Sequence, residues 1–274
     1  MAAGPGPGRH LASSARHLAP KIWPMSGHSK WASIKHKKAA TDARRGQLFT
    51  KLARAITVAA REGGGDPDSN FALAAAIQKA RDYSMPKDNI QRAIDRGTGA
   101  GGADDAIERV VYEGYGPGGV AMLVEALTDN RRRTSADVRH AFDKHGGSLG
   151  EPGSVAWVFE KRGVVLANAE RYSEEDLIVA IDAGAEDVMR EGDSLKVVCA
   201  ADDLAAVRSA LEDAGVEIES AELTMEPKTV VQVEGGDASA LMRLMDALDE
   251  QDDVEAVHAN FDVPAELLEQ AAAA

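Results

Sequence analysis

A run of cationic side chains between residues 30 and 61 is the part of the sequence whose residue types suggest chemistry most clearly. One acid, Asp42, lies within it, and the nine cations are Lys30, Lys35, Lys37, Lys38, Arg44, Arg45, Lys51, Arg54 and Arg61. Such a run can neutralise several phosphates and release their counterions, which gives an affinity that falls with salt and carries little sequence information. The plainer alternative is a solvated surface. Because ordinary surfaces intersperse acids among the cations, we interpret the run as a nucleic-acid contact.

A second cationic cluster follows Asn130 and comprises Arg131, Arg132, Arg133 and Arg139. Consecutive arginines in a loop that enters a helix can combine guanidinium forks with free backbone N–H groups, which suits the binding of phosphate. A second interpretation stays open, in which these arginines pair with the acidic C-terminal half of the chain.

Other patterns that could carry chemistry favour structural roles. Residues 114–119 are glycine-rich, but they lie between two predicted strands, whereas a phosphate loop opens a helix, so we expect a hairpin turn. The histidines lack zinc-binding spacing, and the sequence has no serine nucleophile elbow and no GKS/T loop. We therefore expect no enzymatic activity, no metal and no cofactor. The single cysteine, Cys199, lies in an apolar run and is predicted to be a core residue.

The net charge is distributed unevenly along the chain. The whole chain carries −14, but residues 1–149 hold 23 basic and 15 acidic residues, a net charge of +8, and residues 150–274 hold 8 and 30, a net charge of −22. The basic half can face phosphates while the acidic half faces solvent or a protein partner. Aromatic residues are scarce at 4%, which favours phosphate contacts over base stacking.

Residues 26–97 predict three helices. The first has an apolar stripe that ends at the glycines 63–65, with Lys51, Arg54 and Arg61 on an exposed face. The stripe comprises Leu48, Leu52, Ile56 and Ala60. The second helix spans residues 70–83, and its inward positions are Phe71, Ala74, Ile77 and Ala80. The third begins near Ser84, which can cap it, and stops at Gly97, where residues 97–102 read as a linker.

The period becomes extended after residue 103. Strands are predicted at 110–112, 120–127 and 155–159, with a helix at 135–145 capped by Thr134. Residues 164–224 follow the order β-α-β-β-α-β, with the first helix at 174–183, which is the split βαβ unit of a ferredoxin-like fold. The tail adds a strand at 229–233, a helix at 238–248 and a strand at 254–260.

The predicted fold class is α+β: a three-helix-rich N-terminal domain followed by two α/β domains, one ferredoxin-like and inserted into a discontinuous one. The tail is too short for a stable domain, and the earlier β-β-α-β segment has too few elements to close its sheet, so each is expected to complete the other. The predicted boundaries are a disordered extension at 1–24, a basic helical domain at 25–102, a discontinuous domain at 103–160 plus 228–264, and a ferredoxin-like domain at 161–227.

Ordered motifs over residues 25–264 resemble the YebC family. They include Met25-Ser-Gly-His-Ser-Lys-Trp, Met85-Pro-Lys-Asp-Asn-Ile, Tyr112-Glu-Gly-Tyr-Gly-Pro-Gly-Gly and Leu127-Thr-Asp-Asn-Arg. The resemblance implies a probable transcriptional regulator that binds DNA, and members are also linked to translation, including a mitochondrial activator of cytochrome oxidase synthesis and bacterial factors that act on stalled ribosomes. It implies no enzymatic activity, and it makes Met25 the expected start.

Three classes of function fit these observations: a DNA-binding transcriptional regulator, a ribosome-associated translation factor that contacts ribosomal RNA, and an acidic protein-interaction module. Phosphate binding without base readout suits the second class, because no segment shows a helix-turn-helix signature. We place the first class foremost, following the resemblance. The expected location is cytoplasmic, or organellar if residues 1–24, which carry arginine and no acid, are a targeting peptide.

Charge reversal at Lys37, Lys38, Arg44 and Arg45 is expected to weaken nucleic-acid binding, because each of these cations is expected to bind a phosphate. The plot of log affinity against log salt should flatten by about 0.9 for each phosphate that is no longer bound on B-DNA. Titration of duplex DNA across a salt series measures this slope, and an unchanged slope would contradict the assignment of the basic run.

Overall fold

The computed structural model describes Trp31, residues 42–99 and residues 107–264. The predicted extension at 1–24, most of the basic segment at 25–41 and part of the predicted linker at 97–102 lie outside these residues.

The described N-terminal part contains three helices: α1 (Asp42–Gly63), α2 (Phe71–Asp82) and α3 (Lys87–Gly97). The predicted stripe of α1 is confirmed at Leu52, Ile56 and Ala60, which are at most 5% exposed. Helices α1 and α3 approach closely at Gly97, where an added Cβ would lie 2.4 Å from the carbonyl oxygen of Thr57. Only glycine permits this approach.

Asn70 fixes the start of α2 and the direction in which it leaves α1. Its side-chain oxygen accepts from the backbone N–H of Leu73 at 3.1 Å, and its amide donates to the carbonyls of Ala59 and Gly64, each at 2.8 Å. One side chain thus caps α2 and ties it to the end of α1.

Two details of the predicted helices are wrong. Phe71 is 89% exposed, and Leu73 is fully buried in its place together with Ile77 and Ala80. The reason is that Asn70 anchors the first turn, which sets the rotation of the helix. Ser84 does not cap the third helix: it adopts a left-handed backbone with φ 57°, and the N-cap is Pro86.

A four-stranded antiparallel sheet follows in the order β3-β1-β2-β9, built from β1 (Glu108–Tyr115), β2 (Ala121–Thr128), β3 (Ser148–Leu149) and β9 (Val254–Ala259). Helix α4 (Arg131–Lys144) and helix α7 (Gly235–Asp249) contribute to its core with Val138, Phe142, Leu241 and Leu244. Strands β8 (Val231–Gln232) and β10 (Phe261–Asp262) form a short parallel pair.

The predicted hairpin between β1 and β2 is confirmed. The connection is a 3₁₀ turn at Pro117–Gly119, and the backbone N–H of Gly116 donates to the carbonyl of Val120 at 2.8 Å. Gly118 and Gly119 have φ values of 73° and 75°, which non-glycine residues rarely adopt.

The predicted start and cap of α4 are wrong. The helix begins at Arg131, one turn earlier than expected, and its N-cap is Asn130, whose side chain accepts from the N–H of Arg133. Thr134 is fully buried, and its hydroxyl lies 2.7 Å from Oγ1 of Thr128. Arg131, Arg132 and Arg133 therefore occupy the first helical turn instead of a preceding loop.

The second sheet has the order β5-β6-β4-β7, with every neighbouring pair antiparallel. Its strands are β4 (Phe159–Asn168), β5 (Ala185–Glu191), β6 (Ser194–Ala200) and β7 (Ile218–Pro227). Helices α5 (Val179–Asp182) and α6 (Leu204–Asp213) supply Ala180, Val207 and Leu211 to its core. Cys199 is fully buried there, as predicted, and burial raises the pKa of its thiol to about 11.

Two predicted elements of this part differ from the structure. The helix expected at 174–183 is shorter, since α5 has four residues and the preceding segment forms turns in which the N–H of Leu177 bonds to the carbonyl of Glu174, three residues back. The strand expected at 155–159 is a 3₁₀ turn at Ala156–Val158, and the strand begins only at Phe159.

Helix α2 contacts the second sheet through ion pairs. Arg208 of α6 binds both carboxylate oxygens of Asp82 at 3.0 Å, and Lys79 lies 2.5 Å from Glu222 of β7. Burial alone would lower the pKa of Lys79, but Glu222, Tyr83 and Glu255 together outweigh this effect and raise the pKa above its usual range. These ion pairs attach the helical region to the second sheet, which belongs to the acidic half of the chain.

Leu73→Ala is expected to lower the free energy of unfolding by about 2–5 kcal/mol, because it leaves a cavity in the helical core. Phe71→Ala should change it by less than about 0.5 kcal/mol, because the ring is in solvent. Urea unfolding followed by circular dichroism compares the two variants. A larger loss for Phe71→Ala would contradict the observed rotation of α2.

Candidate nucleic-acid interface

The predicted cations of the basic run have different positions in the structure. Lys30, Lys35, Lys37 and Lys38 lie outside the described residues, and only the backbone of Arg44 is described. Arg45 is exposed on α1, and its guanidinium carbon lies 5.4 Å from the centre of the Phe49 ring. Arg45 is therefore a described cation of the basic run that faces solvent.

Lys51 and Arg54 of α1 contact the end of α7. Lys51 Nζ donates to the carbonyl of Asp249 at 2.5 Å, and Arg54 Nη1 donates to that of Asp252 at 3.0 Å. Gln47 Nε2 donates to the carbonyl of Glu250 at 2.6 Å. The last carbonyls of a helix have no partner within it and carry partial negative charge, so cations and amide donors are stabilising there.

The predicted exposed cationic face of α1 is wrong for these residues. Lys51, Arg54 and Arg61 are partly buried, Val58 between them is 2% exposed, and Arg61 donates to the carbonyl of Ile107 at 3.2 Å. The periodicity correctly placed the three cations on one side of the helix. That side, however, faces the first sheet and its connections.

Asp253, in the loop after α7, is the centre of this contact. Its carboxylate, in a side chain 10% exposed, accepts hydrogen bonds from Arg54, Arg133 and Thr134, each at 2.7 Å. Thr128 Oγ1 lies 3.3 Å from the same carboxylate. Burial alone would raise the pKa of Asp253, but these hydrogen bonds outweigh it and hold the pKa below its ordinary value.

Three of the predicted arginines line one groove. Arg131, Arg132 and Arg139 are exposed on α4 and border a groove of about 790 Å³ between this helix and the edge of the first sheet. The opposite wall contains Tyr112 and residues 149–152. Among the described residues, none forms an ion pair with these three guanidinium groups, whereas Arg133 pairs with Asp129 and Asp253.

The interpretation that the arginines pair with the acidic half thus holds for one of the four. Arg133 binds Asp253, and Arg131, Arg132 and Arg139 are directed to the groove surface. Two acids also line the groove: Glu151, which is exposed, and Glu113, which is buried.

Glu113 holds the loop that forms the far wall of the groove. Its carboxylate accepts from the backbone N–H groups of Gly153, Val155 and Ala156 at 2.6–2.8 Å. Burial raises the pKa of Glu113, but the three N–H donors more than compensate, so the pKa lies below its ordinary value. Because its charge is bound by the loop, Glu113 contributes less repulsion towards an anion than a free carboxylate would.

Sequence reasoning missed two arginines. Arg92 and Arg96 of α3 border a second groove of about 420 Å³ together with Arg54, Ile107 and Asp129. Their i, i+4 spacing places them on one helix face, and this spacing was the signal that could have identified them. The densest cationic run does not include them, because Asp88 and Asp95 lie near them in the sequence of α3.

The described ranges contain no group of three or more His, Cys, Asp or Glu side chains placed to hold a metal ion. Among the described helices, none combines the length and apolar character needed to cross a membrane.

The described residues form an N-terminal helical region, two antiparallel sheets with helices against them and an arginine-lined groove. These features define a mixed α+β protein whose described surface offers cations to a ligand. The chain belongs to the TACO1/YebC family: residues 29–100 match its N-terminal domain, and residues 107–261 match its second and third domain. The resemblance read from the sequence is confirmed. The family is one of regulatory proteins and not of enzymes.

Relatives match almost the whole chain. A Rubrobacter xylanophilus protein named probable transcriptional regulatory protein is 57% identical over 249 residues, which are 90% of this chain and 100% of that protein. A Thermobifida fusca protein of the same name is 53% identical over 247 residues, or 89% and 98%. The crystal structure of a conserved hypothetical protein from Aquifex aeolicus has a TM-score of 0.78 and 46% identity, and covers 86% of this chain and 97% of that one.

Asp253→Asn is expected to lower the free energy of unfolding by about 2 kcal/mol at neutral pH, because the charge-assisted bonds from Arg54 and Arg133 are lost. Because the folded-state pKa is depressed, the stabilisation is fully present above the ordinary carboxyl pKa of about 3.9 and disappears as pH falls through the lower folded value. Urea unfolding of both proteins from pH 7 down to pH 3 tests this. A difference that stays constant, or grows on acidification, would contradict the role given to Asp253.

Proposed function

We propose that this protein is a transcriptional regulatory protein that binds DNA through two basic surfaces. The first is the arginine surface, defined as Arg131, Arg132 and Arg139 on α4. The second is the basic N-terminal segment, with Lys30, Lys35, Lys37, Lys38, Arg44 and Arg45. The observation that carries the proposal is the placement of three exposed arginines around one groove, without ion-pair partners among the described residues.

Electrostatics support this use of the arginine surface. A guanidinium group presents a planar fork of N–H donors that matches phosphate, and three such groups along one helix can each take a separate phosphate oxygen pair. Arginines used for stability would be expected to bind carboxylates, as Arg133 does with Asp253. The exposed three differ from Arg133 in this respect, which favours an external anion as their partner.

Lys51, Arg54 and Arg133 are excluded from the proposed DNA contacts, although the sequence pointed to them. Each already binds oxygen atoms at the seam between α1 and the end of α7, at 2.5–3.0 Å. If Arg54 and Arg133 moved to reach a phosphate, the carboxylate of Asp253 would also lose these two partners, which costs stability.

The alternative function is that of a ribosome-associated translation factor that contacts ribosomal RNA. It is favoured by the kind of contact available, because arginines around a groove bind phosphates on RNA as well as on DNA and read no base edges by themselves. The acidic C-terminal half remains available for a protein partner in either case, since residues 150–274 carry a net charge of −22.

We also propose that the domain boundaries follow the two sheets. The antiparallel order β5-β6-β4-β7 supports a ferredoxin-like unit at 161–227, and the pairing of β2 with β9 supports its insertion into a discontinuous unit at 103–160 plus 228–264. The helical region at 25–102 forms the third unit in this proposal.

The double variant Arg132→Glu/Arg139→Glu tests the arginine surface. Both side chains are exposed, so the fold should be retained, and affinity for duplex DNA should fall at low salt. Ribosome binding is measured in parallel for the alternative function. The salt slope on B-DNA should flatten by about 0.9 for each phosphate that the variant no longer binds. Arg190→Glu is the matched control, because Arg190 is exposed on β5 and its Nε donates only to the nearby carbonyl of Gly192 among the described residues.

The outcome distinguishes the candidate functions. Loss of duplex binding in the double variant, with the control unchanged, supports the DNA-binding regulator, and loss of ribosome binding alone supports the translation factor. If the wild-type protein binds neither at low salt, or if the control variant loses as much affinity as the double variant, the proposed role of the arginine surface is wrong.

A further inference from the structure

Three large aromatic side chains are exposed in the described part of the chain, although aromatic residues are scarce in the sequence. They are Phe71, Tyr115 and Trp157, and Trp157 is 68% exposed. Tyr115 and Trp157 are 42 positions apart in sequence but adjacent in space: Tyr115 Oη donates to the carbonyl of Ser154 at 3.1 Å, and Trp157 Nε1 donates to the same oxygen at 3.0 Å. The polar ends of the two rings therefore converge on one atom.

The loop that carries this pair is held in place before any ligand arrives. Glu113 accepts N–H bonds from Gly153, Val155 and Ala156, and Val155 and Val158 are buried on either side of the exposed Trp157. A tryptophan between two buried valines has little freedom to turn inwards. Its exposure is therefore a property of the folded loop.

A cationic side chain lies beside the aromatic pair. Lys228 is exposed, and its Nζ donates to the carbonyl of Trp157 at 2.9 Å, which places an ammonium group beside the pair. Among the nearby carboxylates, Glu160 is bound by Arg162 at 2.8 Å and Glu226 by Lys196 at 2.6 Å. Arg162 also pairs with Glu186, and Lys196 also pairs with Glu191, so each acid is held by a shared cation. Lys228 is the charged side chain that contacts the backbone of Trp157 directly.

We propose that Trp157 and Tyr115 form a stacking platform for an unpaired nucleobase, with Lys228 close to the attached phosphate. The proposal rests on the proposed nucleic-acid function and deepens it, because a platform of this kind takes bases from a single strand and not from a closed duplex. The same loop forms a wall of the groove lined by Arg131, Arg132 and Arg139. Phosphates at the groove and a base at the platform belong to one ligand in this account, a nucleic acid that contains an unpaired segment.

The test compares two single strands that differ only in their bases: an oligodeoxyadenylate of about twelve nucleotides and an abasic strand of equal length, with binding measured by fluorescence anisotropy. Trp157→Ala is expected to weaken binding of the base-bearing strand by about tenfold and to leave binding of the abasic strand unchanged. Trp157→Phe, which keeps a stacking ring, should retain most of the affinity. Phe71→Ala is the control for the loss of an exposed aromatic ring elsewhere.

Three results would overturn the platform. In the first, Trp157→Ala binds both strands as tightly as the wild type does. In the second, Trp157→Ala loses the same affinity for both strands, and in the third, Phe71→Ala loses as much affinity as Trp157→Ala. The Arg132→Glu/Arg139→Glu variant separates this failure from that of the proposed function. If that variant binds both strands more weakly while Trp157→Ala binds normally, the nucleic-acid function stands without the platform. If it binds both strands as wild type does, the arginine surface itself fails.

Discussion

The carboxylate of Asp253 is the interaction on which the arrangement of the described structure depends. It accepts hydrogen bonds from Arg54 of the helical region and from Arg133 and Thr134 at the start of α4. Its own backbone carbonyl accepts from the N–H of Leu127 at the end of β2. One residue thus joins α1, α4, β2 and the loop after α7. A 90%-buried carboxylate is stable only when cations and hydroxyls satisfy it, so these elements are required together.

This constraint divides the cations of the chain between two uses. Lys51 binds the last carbonyl of α7, where the helix dipole favours positive charge, and Arg54 binds the carbonyl of Asp252 in the loop that follows. The face of α4 that borders the groove differs from the face that carries Arg133. It carries Arg131, Arg132 and Arg139. The two cationic clusters of the sequence therefore include cations with structural partners and cations exposed to solvent, and a count of charge cannot separate them.

The strongly acidic second half fits the same arrangement. The helical region attaches to it through Arg208 with Asp82 and through Lys79 with Glu222, so the attachments use charges of both signs from both parts. These pairs are partly buried, which makes them less sensitive to salt than exposed pairs.

Local patterns in the sequence predicted the elements better than their contacts. The period of α1 identified Leu52, Ile56 and Ala60 as core, because burial along a helix repeats with the helical turn. The orientation of Phe71 depends on bonds from Asn70 to the end of α1, which no periodicity reveals.

Long-range contacts explain the other errors. Thr134 resembles an N-cap by residue type, but its hydroxyl binds Asp253, 119 positions away, and the partner of Lys51 is 198 positions away. The groove on α4 was half predictable. The arginines are conspicuous in sequence, whereas the identity of the one that pairs with Asp253 depends on tertiary structure. The pairing of Tyr115 with Trp157 likewise requires the loop fold that Glu113 imposes.

Hydrogen–deuterium exchange with and without a bound oligonucleotide tests the central claim most directly, which is that the exposed arginines of α4 meet nucleic acid while the Asp253 seam is structural. The account predicts slower exchange at residues 131–139 and 150–157 in the complex, with residues 249–253 protected equally in both states. Protection confined to the acidic residues 174–213, or a seam that becomes ordered only in the complex, would contradict it.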